Sequence, residues 1–379
     1  MFHSHRKGFP VNRNFKRSAS ILGIVAVGSV ALVGCSNDDN DNKDNTSSES
    51  KSSSNLSNQS GTLNGEGATS QQAAMDFFGQ EYQKQVKGAS LNYTASGSGA
   101  GQKNFIGKQV DFAGSDSPLS DEQANQAKDR CGGNEAWHLP FVIGPVAIAY
   151  NIEGVDNLNL DIPTVAKIFK GEIKKWDDEA IKKQNPDAKL SGDIAVFFRS
   201  DESGTTDNFQ KFLKAAAPDV WSDTGKKWNQ TAGEGANGST GVADQVKATP
   251  GSITYVENGF AKDPIKKAKL DFGAGPVELN NDTVSNALNS MEFKTTGHNM
   301  VVDAAKLFQQ KAKDTYPLVL TTYEIVCSKG YDQETTNRVK DFLTVALDNQ
   351  DGIAEDGFIP VTKGDHYNRL KDAIAAIGQ

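Results

Sequence analysis

Histidine is scarce in this chain: five among 379 residues, with His3 and His5 at the very start and His138, His298 and His366 far apart. Cysteine is scarcer still, at three. No His/Cys set has metal-ligand spacing, so no metal is expected. Positive charge is also short, with 40 Lys and Arg against 48 Asp and Glu, which argues against nucleic acid and against a polybasic membrane-binding face. The sequence has no Gly-Lys-Ser/Thr motif. Its run Gly97-x-Gly99-x-Gly101 lacks the third glycine spacing of a dinucleotide fingerprint, so neither a nucleotide nor any other cofactor is expected. No solenoid repeat is present. The longest apolar stretch, Ile21 to Val33, falls short of the ~20 residues a membrane helix needs.

What that stretch does have is a basic leader (Arg6, Lys7, Arg13, Lys16, Arg17) and the ending Leu32-Val33-Gly34-Cys35. This is the form of a bacterial lipoprotein signal, with cleavage before Cys35 and lipid on its thiol. Residues 1–34 are therefore assigned to the signal peptide. From 36 to 60 the chain is almost wholly polar, with Leu56 the single apolar residue, so 35–60 is expected to be a disordered tether. Losing residues 1–34 removes five cations and no acid, taking the formal net charge from −8 to −13. An anionic ligand would then have to be captured by local dipoles. With Cys35 consumed, Cys131 and Cys327 form an even pair in an exported chain. That is most simply a disulfide, the alternative being two separate buried thiols.

The remaining residues, about 320, suffice for two core-forming lobes. Apolar strands such as Phe141–Tyr150 and Ile253–Val256 alternate with helical patterns such as Thr164–Phe169 and Val301–Lys313, which reads as α/β. Two segments repeat one local design. Ile194–Thr206 runs from a strand through Arg199-Ser200-Asp201-Glu202-Ser203-Gly204-Thr205 into a helix, with Ser203 and Thr205 as capping chemistry. Leu91–Ile106 does the same through a glycine-serine turn. A helix N-terminus offers unpaired N–H groups and partial positive charge, so each turn can cradle an oxyanion.

Several motifs in order then resemble the phosphate-binding lipoproteins of the Pst-type ABC transporter. They are Gly65–Thr69, Ser96–Ser98, Val110–Ser120, Gly171–Asp177, Arg199–Thr206 and Gly251–Glu257, and the likeness spans nearly all of 61–379. The resemblance implies a two-lobed periplasmic-binding-protein type II fold with a central cleft and discontinuous lobes. Lobe I would hold 61–148 and 320–379, and lobe II 149–319, with crossovers near Ala147–Asn151 and Leu320–Glu324. It implies inorganic phosphate as ligand, delivered to a membrane permease by a monomer anchored through Cys35 on the outer face of the cytoplasmic membrane.

Matched residue by residue, Ala68, Thr69 and Ser70 would supply a hydroxyl and backbone donors, and Ser98 a second hydroxyl. Arg199, Ser203, Gly204 and Thr205 would form the opposing cradle, with Asp201 orienting the guanidinium. Asp116 would accept the proton of bound phosphate. An ionised carboxylate favours a protonated anion over sulfate, which carries no proton, so Asp116 would also select. Taken alone, Asp116 reads as a turn residue capping a helix over Leu119–Gln126. Two departures stand out. Ser70-Gln71 occupy the place of a usual Phe-Pro pair, and Glu202 replaces a frequent glycine and is expected to point away from the cleft. A secreted phosphatase, or a receptor for another oxyanion, is the alternative. An enzyme would need a base beside Ser98 or Ser203, and no histidine partner is evident.

Overall fold

The computed structural model describes Leu56–Gln379; the signal segment, Cys35 and the tether up to residue 55 lie outside the described residues. The described end of the expected tether is tied down, because Ser57 donates its N–H and its hydroxyl to Asp341, each at 2.8 Å. From there the chain alternates strands and helices. The first group is β1 (Gly61–Gly67), α1 (Gln72–Gln85), β2 (Ala89–Ala95), α2 (Ser98–Ile106), β3 (Phe112–Ser115), α3 (Asp121–Arg130) and β4 (Ala136–Asn151). Next come β5 (Asn159–Asp161), α4 (Ile162–Lys170), α5 (Glu179–Lys182), β6 (Ala195–Arg199), α6 (Gly204–Ala216), β7 (Glu234–Ala236), α7 (Gly238–Ala248) and β8 (Ser252–Glu257). The chain closes with β9 (Lys266–Lys267), β10 (Lys269–Asp271), β11 (Pro276–Val277), α8 (Asn281–Leu288), α9 (Ala304–Phe308), β12 (Val319–Cys327), α10 (Gln333–Asp348) and α11 (Gly364–Ala376). No helix among the described residues is long and apolar enough to cross a membrane.

The main sheet runs β2-β1-β3-β12-β4-β8-β6-β7, with β9 also on β4, and β11-β10-β5 form a small second sheet. Its two ends are parallel βαβ units, β1 with β2 and β3, and β6 with β7 and β8. Between them lie β4 and β12, antiparallel to each other and to their outer neighbours. One strand serves both halves. β4 pairs with β12 from Ala136 to Pro145 and with β8 from Val146 to Asn151. Its near-continuous apolar sequence is buried almost throughout, as a strand covered on both faces requires.

Local chemistry sets the helix ends. Ser203 caps α6 by accepting the Thr206 N–H, and Thr205 lies inside the first turn. The helix expected to follow Asp116 is α3, which starts at Asp121 and is capped by Ser120 in a reciprocal box with Gln123. Asp116 is thus not its cap. The helix expected over Val301–Lys313 shrinks to α9. Val302 pairs with Phe293 and donates its N–H to the Tyr323 hydroxyl, which holds the preceding residues extended. Cys131, at the end of α3, and Cys327, at the end of β12, are bonded with Cα atoms 5.3 Å apart. The bond joins residues 196 apart in sequence, where a crosslink restricts the unfolded chain most.

Candidate functional site

Three turns on the β1–β3 side converge. After β1, a short 3-10 turn over Thr69–Gln71 precedes α1, so the Thr69 and Ser70 N–H groups open a helical end without intrahelical acceptors. Ala68, expected as a donor, has its N–H bonded to Gly114 O at 2.9 Å. That bond anchors the turn. After β2, Ser98 begins α2, and after β3 comes Asp116. The Asp116 carboxylate accepts from three hydroxyls: Ser70 at 2.6 Å, Thr322 at 2.8 Å and Ser98 at 3.3 Å. Its own N–H donates to Ser98 Oγ. Burial, then the charge of Glu257, push the Asp116 pKa up to about 6, against the pull of the Ser70 and Thr322 hydroxyls and Arg199.

Ser70 and Gln71, which stand where a Phe-Pro pair is usual, both have work behind this turn. Ser70 donates to Asp116, and Gln71 Nε2 donates to the Tyr93 hydroxyl, which in turn donates to Ala68 O at 2.9 Å. Beneath them Glu324 is fully buried, and neither its oxygens nor Gln71 Oε1 have a hydrogen-bond partner. Burial lifts the Glu324 pKa to about 8, the neighbouring Gln71 side chain opposing the rise and the charge of Asp116 adding to it.

The β6–β8 side supplies the charge. Arg199 ends β6 with 2% of its surface exposed, and Asp201 grips it with both oxygens, at 2.7 Å from Nε and 2.5 Å from Nη2. Burial opposes the charge on Arg199, but this fork holds its pKa above the ordinary value; Asp201 in turn is held below the ordinary carboxylate range. The clamp leaves Nη1 for Ser239 Oγ at 3.1 Å and Thr205 Oγ1 at 3.4 Å. Behind the strand, Phe209 stacks on Tyr255 at 4.5 Å and meets Phe169 edge-on at 4.9 Å, while Tyr255 accepts the Arg199 N–H. Such aromatic contacts are each worth about 0.5–1.5 kcal/mol beyond burial and fix the strand that carries the guanidinium.

The two sides touch. Thr69 Oγ1 lies 2.9 Å from Ser239 Oγ and accepts the Ser239 N–H, and Ser117 Oγ donates to Asp207 at 2.5 Å. Gly204 shows how close they come, because a Cβ there would sit 2.4 Å from Ser98 Oγ and 2.5 Å from Asp116 Cβ. Gly97, at φ +100°, faces Asp201 in the same way. Glu202 is directed at Lys103 and Lys227, at 2.7 and 3.2 Å, and its carbonyl accepts the Gly99 N–H. These cations hold its pKa below the usual range.

Thus Thr69, Ser70, Ser98, Asp116, Arg199, Ser203, Gly204 and Thr205 stand around one locus, with Asp201 behind the arginine. Three residues join them that the sequence reading did not assign: Ser239, Glu257 and Thr322. Ser239 had a signal, since Gly238-Ser239 opens α7 with the same glycine-serine pattern as the other cradles. Glu257 closed a quoted motif without a role, and Thr322 lies inside a strand with nothing local to mark it. Among the described residues no group of three or more His, Cys, Asp or Glu is arranged to hold a metal. His138 bonds Leu119 N and Asn299, and His366 bonds Pro140 O, so neither activates Ser98 or Ser203.

Comparison with known proteins gives a consistent picture. The family model described as a PBP superfamily domain matches residues 52–350. Phosphate-binding protein PstS3 of Mycobacterium bovis is 41% identical over 367 residues, covering 95% of this chain and 99% of that protein. Phosphate-binding protein PstS of Haemophilus influenzae is 29% identical, covering 80% and 90%. Among solved structures, a high-affinity periplasmic phosphate-binding protein (PfluDING) superposes with a TM-score of 0.66 at 23% identity, covering 83% of this chain and 93% of that one. A human phosphate binding apolipoprotein gives the same TM-score at 21% identity, covering 83% and 96%. The fold shared with these structures is the two-lobed periplasmic-binding type.

Proposed function

Since the chain belongs to the PstS phosphate-binding proteins of the PBP superfamily, we propose that it captures inorganic phosphate between its lobes outside the cytoplasm and delivers it to the permease of an ABC transporter. The observation that carries the reading is the meeting, at one buried locus, of a proton-accepting carboxylate and a clamped guanidinium, each presented beside open helix N-termini. Asp116 accepts a phosphate O–H. Arg199 pairs with the anionic oxygens. The Thr69, Ser70, Ser98, Gly204 and Thr205 N–H groups and the Ser98 and Ser203 region complete the cradle, while Asp201 orients the arginine and Ala68 anchors the first turn.

Lobe I comprises 61–148 with 320–379 and lobe II 149–319 in this reading, and closure around the anion is the motion that traps and releases it. Lipid on Cys35 holds a monomer on the outer face of the cytoplasmic membrane, and the polar stretch after it lets the binding unit reach the permease. No bond in phosphate is made or broken, so the protein is a carrier and not an enzyme.

The test is calorimetric titration of the purified, anion-stripped protein with phosphate and then sulfate, beside Asp116→Asn. Phosphate is expected to bind with sulfate silent, and the variant to lose at least tenfold in discrimination between the two. Phosphate giving neither heat nor a thermal shift would overturn the reading. Release of phosphate from an ester by the wild type would favour the phosphatase alternative.

A further inference from the structure

One carboxylate at the site is left over by this scheme. Glu257, the last residue of β8, is 2% exposed. Its Oε1 accepts the Thr205 hydroxyl, and its Oε2 is buried without any hydrogen-bond partner. A hydroxyl has a single proton, so Thr205, donating to Glu257, has none to give an anion and can act toward it only through its N–H. Geometry places Glu257 beside the cradle: it bonds Thr205, whose Oγ1 also receives Arg199 Nη1, and its second oxygen is left unpartnered there.

The charged and titratable groups around it come from both sides. From β6 come Arg199 and, through it, Asp201; from the loop after β3 comes Asp116; on β8 itself is the Tyr255 phenol, bonded to Thr206 of α6. β4 lies opposite at Val146, and α7 adds the neutral Ser239 hydroxyl on Arg199. One guanidinium therefore faces three carboxylates, and Asp201 already occupies two of its three nitrogens. A doubly charged anion with one proton can satisfy Asp116 but leaves Glu257 facing a bare anionic oxygen. An anion with two protons satisfies both carboxylates and carries one charge fewer.

We propose that Glu257 is a specificity-determining residue, a second proton acceptor that, together with Asp116, makes the site take phosphate as its dihydrogen form, with one P–O–H directed at each carboxylate. The proposal rests on the phosphate reading above and refines it. In solution above neutral pH the dominant species is HPO4²⁻, so binding there must draw one proton from the buffer, and that proton ends between Glu257 and a phosphate oxygen.

The experiment is phosphate calorimetry between pH 6 and 9, at each pH in buffers of different ionisation heat, on the wild type and Glu257→Gln. For the wild type, uptake of about one proton per phosphate is expected at pH 8 and above, with affinity falling roughly tenfold per pH unit there. Glu257→Gln should bind with almost no proton uptake and a flat profile above pH 7. A role for Glu257 in packing alone would weaken binding equally at every pH and leave the uptake intact, which overturns the proposal. So does wild-type binding at pH 8.5 without proton uptake, a result that stands even if the variant fails to fold. Absence of phosphate binding at every pH would instead overturn the phosphate reading, so the two failures are distinguishable.

Discussion

The two sides of the site solve opposite electrostatic problems. On the β1–β3 side, Asp116 sits among hydroxyls with no cation bonded to it, and its proton affinity rises. On the β6–β8 side, Arg199 is locked by a partner of opposite charge and its ionised state is reinforced. One wall is built to receive a proton, the other to keep a charge. The difference teaches that a strongly acidic chain, with a formal net charge of −8 before its signal is removed, does not need a positive field to hold an anion. On the proposed reading it needs one protected cation, rows of N–H donors, and carboxylates that turn the ligand's own protons into contacts.

The comparison breaks most completely at the charged wall. Arg199→Ala strands Asp201 in a buried place, which should cost about 3–5 kcal/mol of stability and reduce phosphate affinity on the order of 100-fold or more. Chemical denaturation and calorimetry read the two effects. Closing the gap between the walls comes next. Gly204→Ala puts a methyl against Ser98 and Asp116, and an overlap of that kind costs about 1–3 kcal/mol in the closed form, or roughly 5- to 150-fold in affinity. Thermal melts without phosphate read how much of that cost falls on the free protein, and calorimetry how much falls on binding.

The proton-accepting wall sharpens the contrast through pH. Asp116 has a folded pKa of about 6 against an ordinary 3.8, so its contribution to stability is fully present below pH 3.8 and lost as pH rises through about 6. Asp116→Asn should therefore be more stable than the wild type at pH 7.5, by about 2–3 kcal/mol, and show no such gain at pH 4. Thermal melts of anion-free protein at the two pH values decide it. The smallest effect is at the rim. Glu202→Gln removes a negative charge from the rim and frees Lys103 and Lys227 from partly exposed pairs, so it should tighten phosphate binding about two- to fivefold, with the difference vanishing in high salt.

Sequence made the cradles legible because helix-start signals are local: the Ser203 cap, the glycine-serine turn before Ser98 and the turn after Gly67 each precede a helix within a few residues. The α/β alternation and the long strand around Phe141–Tyr150 were visible for the same reason, being carried by short-range pattern. What stayed hidden was non-local. Thr322 reaches Asp116 across 206 residues, from inside a strand whose every residue is buried. The Ser239 link to Thr69 spans 170 residues. The overlong helix at Val301–Lys313 failed likewise, since the competing interactions of Val302 come from Phe293 and Tyr323. Ser70 and Gln71 depart from the usual Phe-Pro pair, and their side chains bond Asp116 and Tyr93, contacts that no local rule contains.

The double service of β4 has a consequence for anyone recombining these proteins. Since its first ten residues complete one half of the main sheet and its last six the other, a cut anywhere along it leaves two fragments with torn edges. A chimera that exchanges one half with a relative must therefore be spliced at two joints at once, near Pro145–Val146 and just before Val319, and both donor segments must agree in register. The two halves of the sheet share one strand and cannot be traded as separate modules.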